Sequence, residues 1–182
     1  MARVPSLGPA DVAAEHRDLL ARPIALHKAL INSPGALRAF SALGHYIRHG
    51  SKLDPRLREL AILQVGYLAR APYEWSHHIK IGHDFGVSDD DIRALIDETA
   101  GRTTRLDDLT RSVLRGAREM TEHGAMADAT FASLQDALGN EQAVDLTLTI
   151  AFYNAVVRVL ATLQIDVEDA YMPYLRQFPL PD

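Results

Sequence analysis

Apolar residues recur along this chain at three- and four-residue intervals, the spacing that gathers side chains on one face of an α-helix. Ser33-Pro34, a capping serine before a proline suited to a first helical turn, opens a run with Leu37, Phe40, Leu43 and Ile47, which Gly50 closes. Asp54-Pro55 repeats that opening. The helix it starts, to about Arg70, carries Leu57, Leu60, Ala61, Leu63, Val65, Tyr67 and Leu68 and has almost no polar face. A helix apolar nearly all round belongs in the middle of a protein or an oligomer. Ala71-Pro72 breaks the chain, and a further helix runs from Tyr73 to about Phe85, with Gly86 as its terminator.

The pattern continues in the same mode. Ser88 and three aspartates cap a helix with Ile92, Leu95 and Ile96, and the polar stretch Gly101–Arg105 leads into Leu106 to about His123. There Leu109, Val113, Leu114, Ala117 and Met120 form a buried stripe. Asp128 caps a short helix with Phe131, Leu134 and Leu138, which Gly139-Asn140 separates from a long one, Glu141 to about Gln164. Upstream, residues 1–8 form an irregular arm. Pro9-Ala-Asp11 starts a helix with Val12, Leu19 and Leu20 on its apolar face, Arg22-Pro23 breaks it, and Ile24–Leu30 is a short apolar element. The tail 166–182, with Pro173, Pro179 and Pro181, is expected to wrap over the surface or a neighbour. Leu146–Ile150 is β-rich, but no convincing strand alternation appears. The expectation is one all-α domain over 1–182: an N-terminal helical extension (1–50), a core hairpin (51–100), C-terminal helices (105–165) and the tail.

Composition narrows the chemistry. With 182 residues, 47 % of them hydrophobic, the chain suffices for one domain with a real core. Its net charge of −5 and lack of a long basic run argue against nucleic acid as a partner. No cysteine is present, which removes disulfides, thiolate metal sites and thiol redox chemistry. The first residues lack the apolar core of a secretory signal, and the apolar stretches at 61–69 and 146–163 are interrupted by Gln64, Gly66, Asn154 and Arg158. No membrane span is expected, and the expected location is the cytoplasm.

The candidate chemistry lies in the two central helices. Glu74 and His78 are four residues apart and share a helix face, with His77 on the same side but turned by about 100° from His78. Glu59 lies fifteen positions before Glu74, across the Ala71-Pro72 break. A fold-back of the two helices brings both carboxylates to an imidazole in a partly apolar setting. Such a set can hold and move a proton near neutral pH. The plain alternatives are a core Glu59 paired with Arg56, Arg58 or Arg70, and a solvated Glu74–His78 surface pair. A metal-dependent enzyme is another. Glu74-Trp-Ser-His77 has the E-x-x-H spacing of di-iron bundles, but no second copy exists, and Glu119 to Glu122 is the nearest imitation. His77 and His78 point in different directions on a helix, which counts against one ion using both. His45 and His49, four apart near a helix end, suit capping, and His83 suits a helix surface. Tyr73 and Trp75 suit packing, Tyr73 with a pocket-lining alternative. Asn154 is either a hydrogen-bond hub or a pocket residue.

Arg58-Glu59-Leu-Ala-Ile-Leu, then Ala71-Pro-Tyr-Glu74-Trp-Ser-His-His78, then Gly86-Val-Ser-Asp-Asp-Asp-Ile, resembles the carboxymuconolactone decarboxylase family, within the superfamily of AhpD-type alkylhydroperoxidases. The resemblance spans roughly residues 35–100, and Ala151-Phe-Tyr-Asn-Ala-Val resembles the closing helix of longer members. It implies an AhpD-like all-α bundle of about seven to nine helices around a central helical hairpin, assembled as trimers or hexamers. The peroxidase branch carries C-x-x-C-x-x-x-H. Here the cysteine positions are Ala71 and Glu74, so thiol peroxidase activity is excluded and the histidine is His78. The resemblance implies a decarboxylase-like lyase needing no cofactor or metal, acting on a small carboxylated lactone or related intermediate of aromatic catabolism. His78 is the expected proton donor, Glu74 orients and charges it, and Glu59 completes the set. Arg58 and Arg70 are expected to hold substrate carboxylates, with Tyr73, His77 and Asn154 lining the site. The roughly fifty residues before the shared core put the substrate itself in doubt. A non-catalytic small-molecule-binding oligomer is the remaining alternative.

Overall fold

The computed structural model describes residues 2–181. Among the described residues eight α-helices lie in chain order: α1 (Ala25–Leu30), α2 (Pro34–His45), α3 (Pro55–Leu68), α4 (Pro72–Asp84), α5 (Asp89–Thr99), α6 (Asp108–His123), α7 (Asp128–Leu163) and α8 (Met172–Gln177). Short 3-10 turns occupy Ala14–Leu20 and Asp169–Tyr171, a π-helical turn follows α2 over Tyr46–Gly50, and no strand occurs among the described residues. The fold is therefore an all-α bundle, as expected from the sequence.

Its axis is α3. Every residue from Leu57 to Gly66 is buried, because α4, α6 and α7 all pack around this helix. The sequence leaves its apolar surface to be shared with a neighbour, but a single subunit already covers it. Asp54 caps α3 by accepting from Leu57 N at 2.9 Å, and Pro55 takes the first turn, where no N–H is needed. The turn into α4 is tight. At Gly66 a Cβ would sit 3.3 Å from the backbone nitrogen of Trp75, so a glycine lets the two helices approach closely.

Local signals explain most boundaries. Ser88 and Asp91 form a reciprocal capping box at α5, and Asp107 caps α6 through Thr110 N. Gly139, at φ 75°, interrupts α7 where the sequence predicts a separation. Beyond it Leu146, Ile150, Tyr153, Val157 and Leu160 enter the core with α3 and α6 residues. Among the described residues α7 is long and apolar enough to cross a membrane, but its buried face makes it a core helix. The β-rich stretch 146–150 is helical because that face has a helical partner surface. Near the N-terminus, the Asp11 carboxylate accepts from Gly8 N and stabilises a turn. Only the 3-10 turn Ala14–Leu20 forms there, in place of the expected helix. The tail docks on its own subunit: α8 packs on α4, and the buried Trp75 Nε1 donates to Phe178 O at 2.8 Å.

Candidate active site

The α3–α4 hairpin brings Glu59, Glu74 and His78 together. His78 Nδ1 lies 2.6 Å from Glu59 Oε2, and its Nε2 lies 2.9 Å from Glu74 Oε1. All three side chains are almost completely buried. Burial alone would lower the pKa of His78. The charges of Glu74 and Glu59 and the hydrogen bonds to both reverse that effect and raise it to about 9. The ring is therefore an imidazolium at neutral pH, and both nitrogens donate. Burial likewise pushes Glu59 upward, but His78 and then Arg58 hold its carboxyl below the usual range. Arg58 Nε donates to Glu59 Oε1 at 3.0 Å, and its guanidinium lies over the Phe85 ring, 4.6 Å from the centroid.

This row of charges ends in a cavity of about 270 Å³ lined by Glu74, His78, Tyr73, His77 and Tyr153. Its walls also include Leu26, Phe40, Ile81, Phe152 and Val156, and its outer part includes Arg22, His27, His45, Arg48 and His49. Glu59 and Arg58 do not line it. The order from core to cavity is thus Arg58, Glu59, His78, Glu74. Glu74 commits one oxygen to His78, and its second oxygen has no protein partner among the described residues.

His77 also lines the cavity, but its partners are different. Its Nδ1 lies 2.8 Å from Tyr73 O, and its ring is stacked between Tyr73 and Tyr171, at centroid distances of 3.9 Å and 3.5 Å. A carbonyl only accepts, so Nδ1 carries a hydrogen. Nε2 lies 3.1 Å from Glu168 Oε2, an approach that becomes a hydrogen bond when a proton sits between them. Burial lowers the pKa of His77, and the Glu168 charge opposes that. Glu168 Oε1 also accepts from Ala25 N at 2.8 Å and from the Tyr73 hydroxyl at 3.3 Å. Glu168 thereby ties α1, α4 and the tail together beside the cavity.

Of the sequence-derived binding residues, Tyr73 and His77 line the cavity, while Arg58 supports Glu59 from behind. Arg70 is an exposed turn residue at φ 47°. Asn154 bonds Thr121 Oγ1 and Ile150 O and lines a separate depression with Leu68 and Ala69. Its neighbour Tyr153, one helical step round α7, lines the cavity instead, edge-on to His78 at 5.0 Å between centroids. Nothing in the motif pointed to Tyr153, Arg48, Arg22 or His27. The His45–His49 spacing was visible, but its place at the cavity was not. For a metal, both nitrogens of His78 are already engaged by carboxylates, and no three His, Asp or Glu side chains among the described residues converge as ligands.

Residues 34–104 match the model of the Carboxymuconolactone decarboxylase family. That stretch is the part of the chain that is similar to this family. It holds Glu59, Glu74 and His78, whereas Arg22, His27, Tyr153 and Glu168 lie outside it. Solved structures share the whole fold. The debrominase Bmp8, in complex with 2,3,4-tribromopyrrole, superposes with a TM-score of 0.80 at 18 % identity, with 97 % of each chain covered. An uncharacterized peroxidase-related protein from Ralstonia eutropha JMP134, with an alkylhydroperoxidase AhpD core, gives 0.76 at 18 % identity over 96 % of this chain and 95 % of that one. A peroxidase-related protein from Silicibacter sp. TM1040 gives 0.73 at 19 % identity over 93 % and 92 %. At these identities the likeness establishes the AhpD-like fold. No curated protein sequence gives a significant match.

Proposed function

We propose that the protein is a cofactor-free lyase that moves a proton during decarboxylation of a small carboxylated lactone or a related intermediate of aromatic catabolism. The observation that carries this reading is the buried Glu59–His78–Glu74 row ending in a small, largely apolar cavity. Loss of carbon dioxide breaks a carbon–carbon bond and leaves an electron pair that flows into the conjugated carbonyl, forming an oxyanion. A proton then adds to carbon and gives the enol-lactone. The substrate serves as its own electron sink, so the protein supplies one proton and a site for the oxyanion.

The geometry favours a division of labour in which His78 stores the proton and Glu74 delivers it. With Nδ1 held by Glu59 and Nε2 by Glu74, the imidazolium reaches the cavity through Glu74, whose second oxygen is open to substrate. The proton passes from Nε2 to Glu74 and from Glu74 to carbon, and His78 recovers it from solvent. Thiol peroxidase and thiol dehalogenase chemistry find no support, since the chain has no cysteine. A cytoplasmic homo-oligomer, a trimer or hexamer, belongs to the same proposal. An exposed apolar stripe on α7 with Val144 and Leu148 supports the assembly.

The test is carbon dioxide release from γ-carboxymuconolactone by the wild type, Glu74→Gln and His78→Gln, before and after chelation. Turnover that survives chelation and falls at least about 100-fold in both variants is expected. Chelator-sensitive turnover would shift the reading to a metal enzyme. No turnover in the wild type would remove this substrate.

A further inference from the structure

We propose that Arg48 and the Tyr153 hydroxyl form an anion-binding subsite that seats a carboxylate of a ring-sized, largely apolar ligand in the cavity that Glu74 and His78 also line. This deepens the lyase reading and rests on the same cavity, but it concerns binding rather than turnover.

The charge balance is the first argument. Arg58, Glu59, His78 and Glu74 form a row whose two positive and two negative charges compensate one another. Arg48 and Arg22 also line the cavity, yet neither has a carboxylate partner among the described residues. The surrounding imidazoles feel this surplus. His27 is lowered by burial and then by Arg22, with Arg48 adding to the effect. His49 is lowered by desolvation, then by His45, Arg48 and Arg58. A cavity with uncompensated guanidinium charge at one end is built for an anion.

Tyr153 supplies the second argument. It is 6 % exposed and lines the cavity, and its hydroxyl oxygen accepts from the Arg48 side chain. The two groups therefore act together, and the hydroxyl hydrogen has no protein acceptor among the described residues. Burial, then the charges of Glu74 and Glu59, push its pKa up, with Arg48 acting in the opposite direction. The phenol therefore keeps its proton and stays a donor. Shape completes the case: about 270 Å³ walled by Leu26, Phe40, Ile81, Phe152 and Val156 suits one planar ring rather than an extended chain. The ligand class is a small cyclic carboxylate, with its ring on the aliphatic and aromatic wall and one carboxylate on Arg48 and Tyr153.

Calorimetric titration with benzoate, against benzyl alcohol as a neutral analogue of similar size, tests this on the intact chain. The wild type is expected to bind benzoate saturably and benzyl alcohol at least tenfold more weakly. Arg48→Gln should weaken benzoate at least tenfold, and Tyr153→Phe about threefold to tenfold. Arg48→Lys should recover part of the loss, and near-UV circular dichroism should show each variant folded. Benzyl alcohol should respond little to any of them. Equal benzoate affinity in the wild type and a folded Arg48→Gln, or no saturable benzoate binding to the wild type, would overturn the proposal. Benzoate is only a binding probe, so failure of the lyase reading, seen as wild type without carbon dioxide release, leaves this measurement standing.

Discussion

His77 and His78 are adjacent in sequence, on one helix, and both buried, yet they hold protons in opposite ways. His78 stands between two carboxylates that reach it from α3 and from its own helix, and its pKa rises to about 9. His77 is turned toward the C-terminal tail, between two tyrosine rings, with Glu168 as the one carboxylate in direct contact. There burial prevails and the pKa falls. Burial is common to both, so the closeness of the carboxylates and their hydrogen bonds to the ring decide which direction wins. Helix α4 thus carries a charged, proton-holding face toward the cavity and a stacked, strap-holding face toward Glu168 and Tyr171.

The strongest way to break this contrast is to strip His78 of a carboxylate. Glu59→Ala leaves the Arg58 guanidinium and the imidazolium buried without their shared anion. A loss of about 3–5 kcal/mol is expected, as for other broken buried ion pairs, measured by urea unfolding at pH 6. A loss under about 1 kcal/mol would mean that water or a shifted side chain replaces the anion. The pH dependence follows from the same row. His78 rises from 6.5 to about 9 on folding, so its contribution is full below pH 6.5 and disappears as the pH climbs through 9. Its size is roughly 3 kcal/mol. Glu59 is lowered from 4.5, so its share is full above that pH and is lost as the pH falls further. The two shifts describe one interaction and are not summed. Unfolding free energy should therefore be greatest between these limits, and His78→Gln should flatten the alkaline limb.

The hairpin and its three charged residues were legible in the sequence because helical spacing and the two X-Pro breaks are local signals. Glu59, Glu74 and His78 interrupt an apolar pattern, and the helical period fixes which of them can meet. The order of the relay was not legible, since only packing decides that Glu59 sits behind His78 and Glu74 in front. The rest of the cavity lining was hidden for a related reason. Tyr153 and Arg48 reach the cavity from α7 and the turn after α2, and no period links them to the hairpin. Asn154 drew attention as a polar residue in an apolar run, but one helical step separates the face bonded to Thr121 from the face that meets His78. Arg70 drew attention by charge alone, and the turn that holds it sends it to solvent.

On the strap face the expected effects are smaller. Tyr171→Ala removes one side of the His77 sandwich and should cost about 1 kcal/mol, with hydrogen exchange over 166–178 quickening more than exchange in α3. Equal quickening in both would show that the tail and the core open as one unit.

His77→Phe gives the smallest effect at neutral pH and the sharpest view of the contrast. Phenylalanine preserves the stack between Tyr73 and Tyr171 while removing both ring nitrogens, so stability at pH 7 should change by less than about 1 kcal/mol. The difference should emerge in acid. Glu168, Glu74 and His78 are the charged groups that bear on His77, and with burial they leave its pKa below 6.5. As the pH falls through that region, the unfolded chain takes up a proton that the folded one resists, so His77 withdraws stability. The variant should therefore gain on the wild type between pH 7 and about pH 5, as read from urea midpoints at constant m-value. A variant that instead loses ground in acid would mean that protonated His77 bonds Glu168 strongly enough to outweigh burial. In that case the strap would tighten on protonation, and the two faces of α4 would differ in degree rather than in direction.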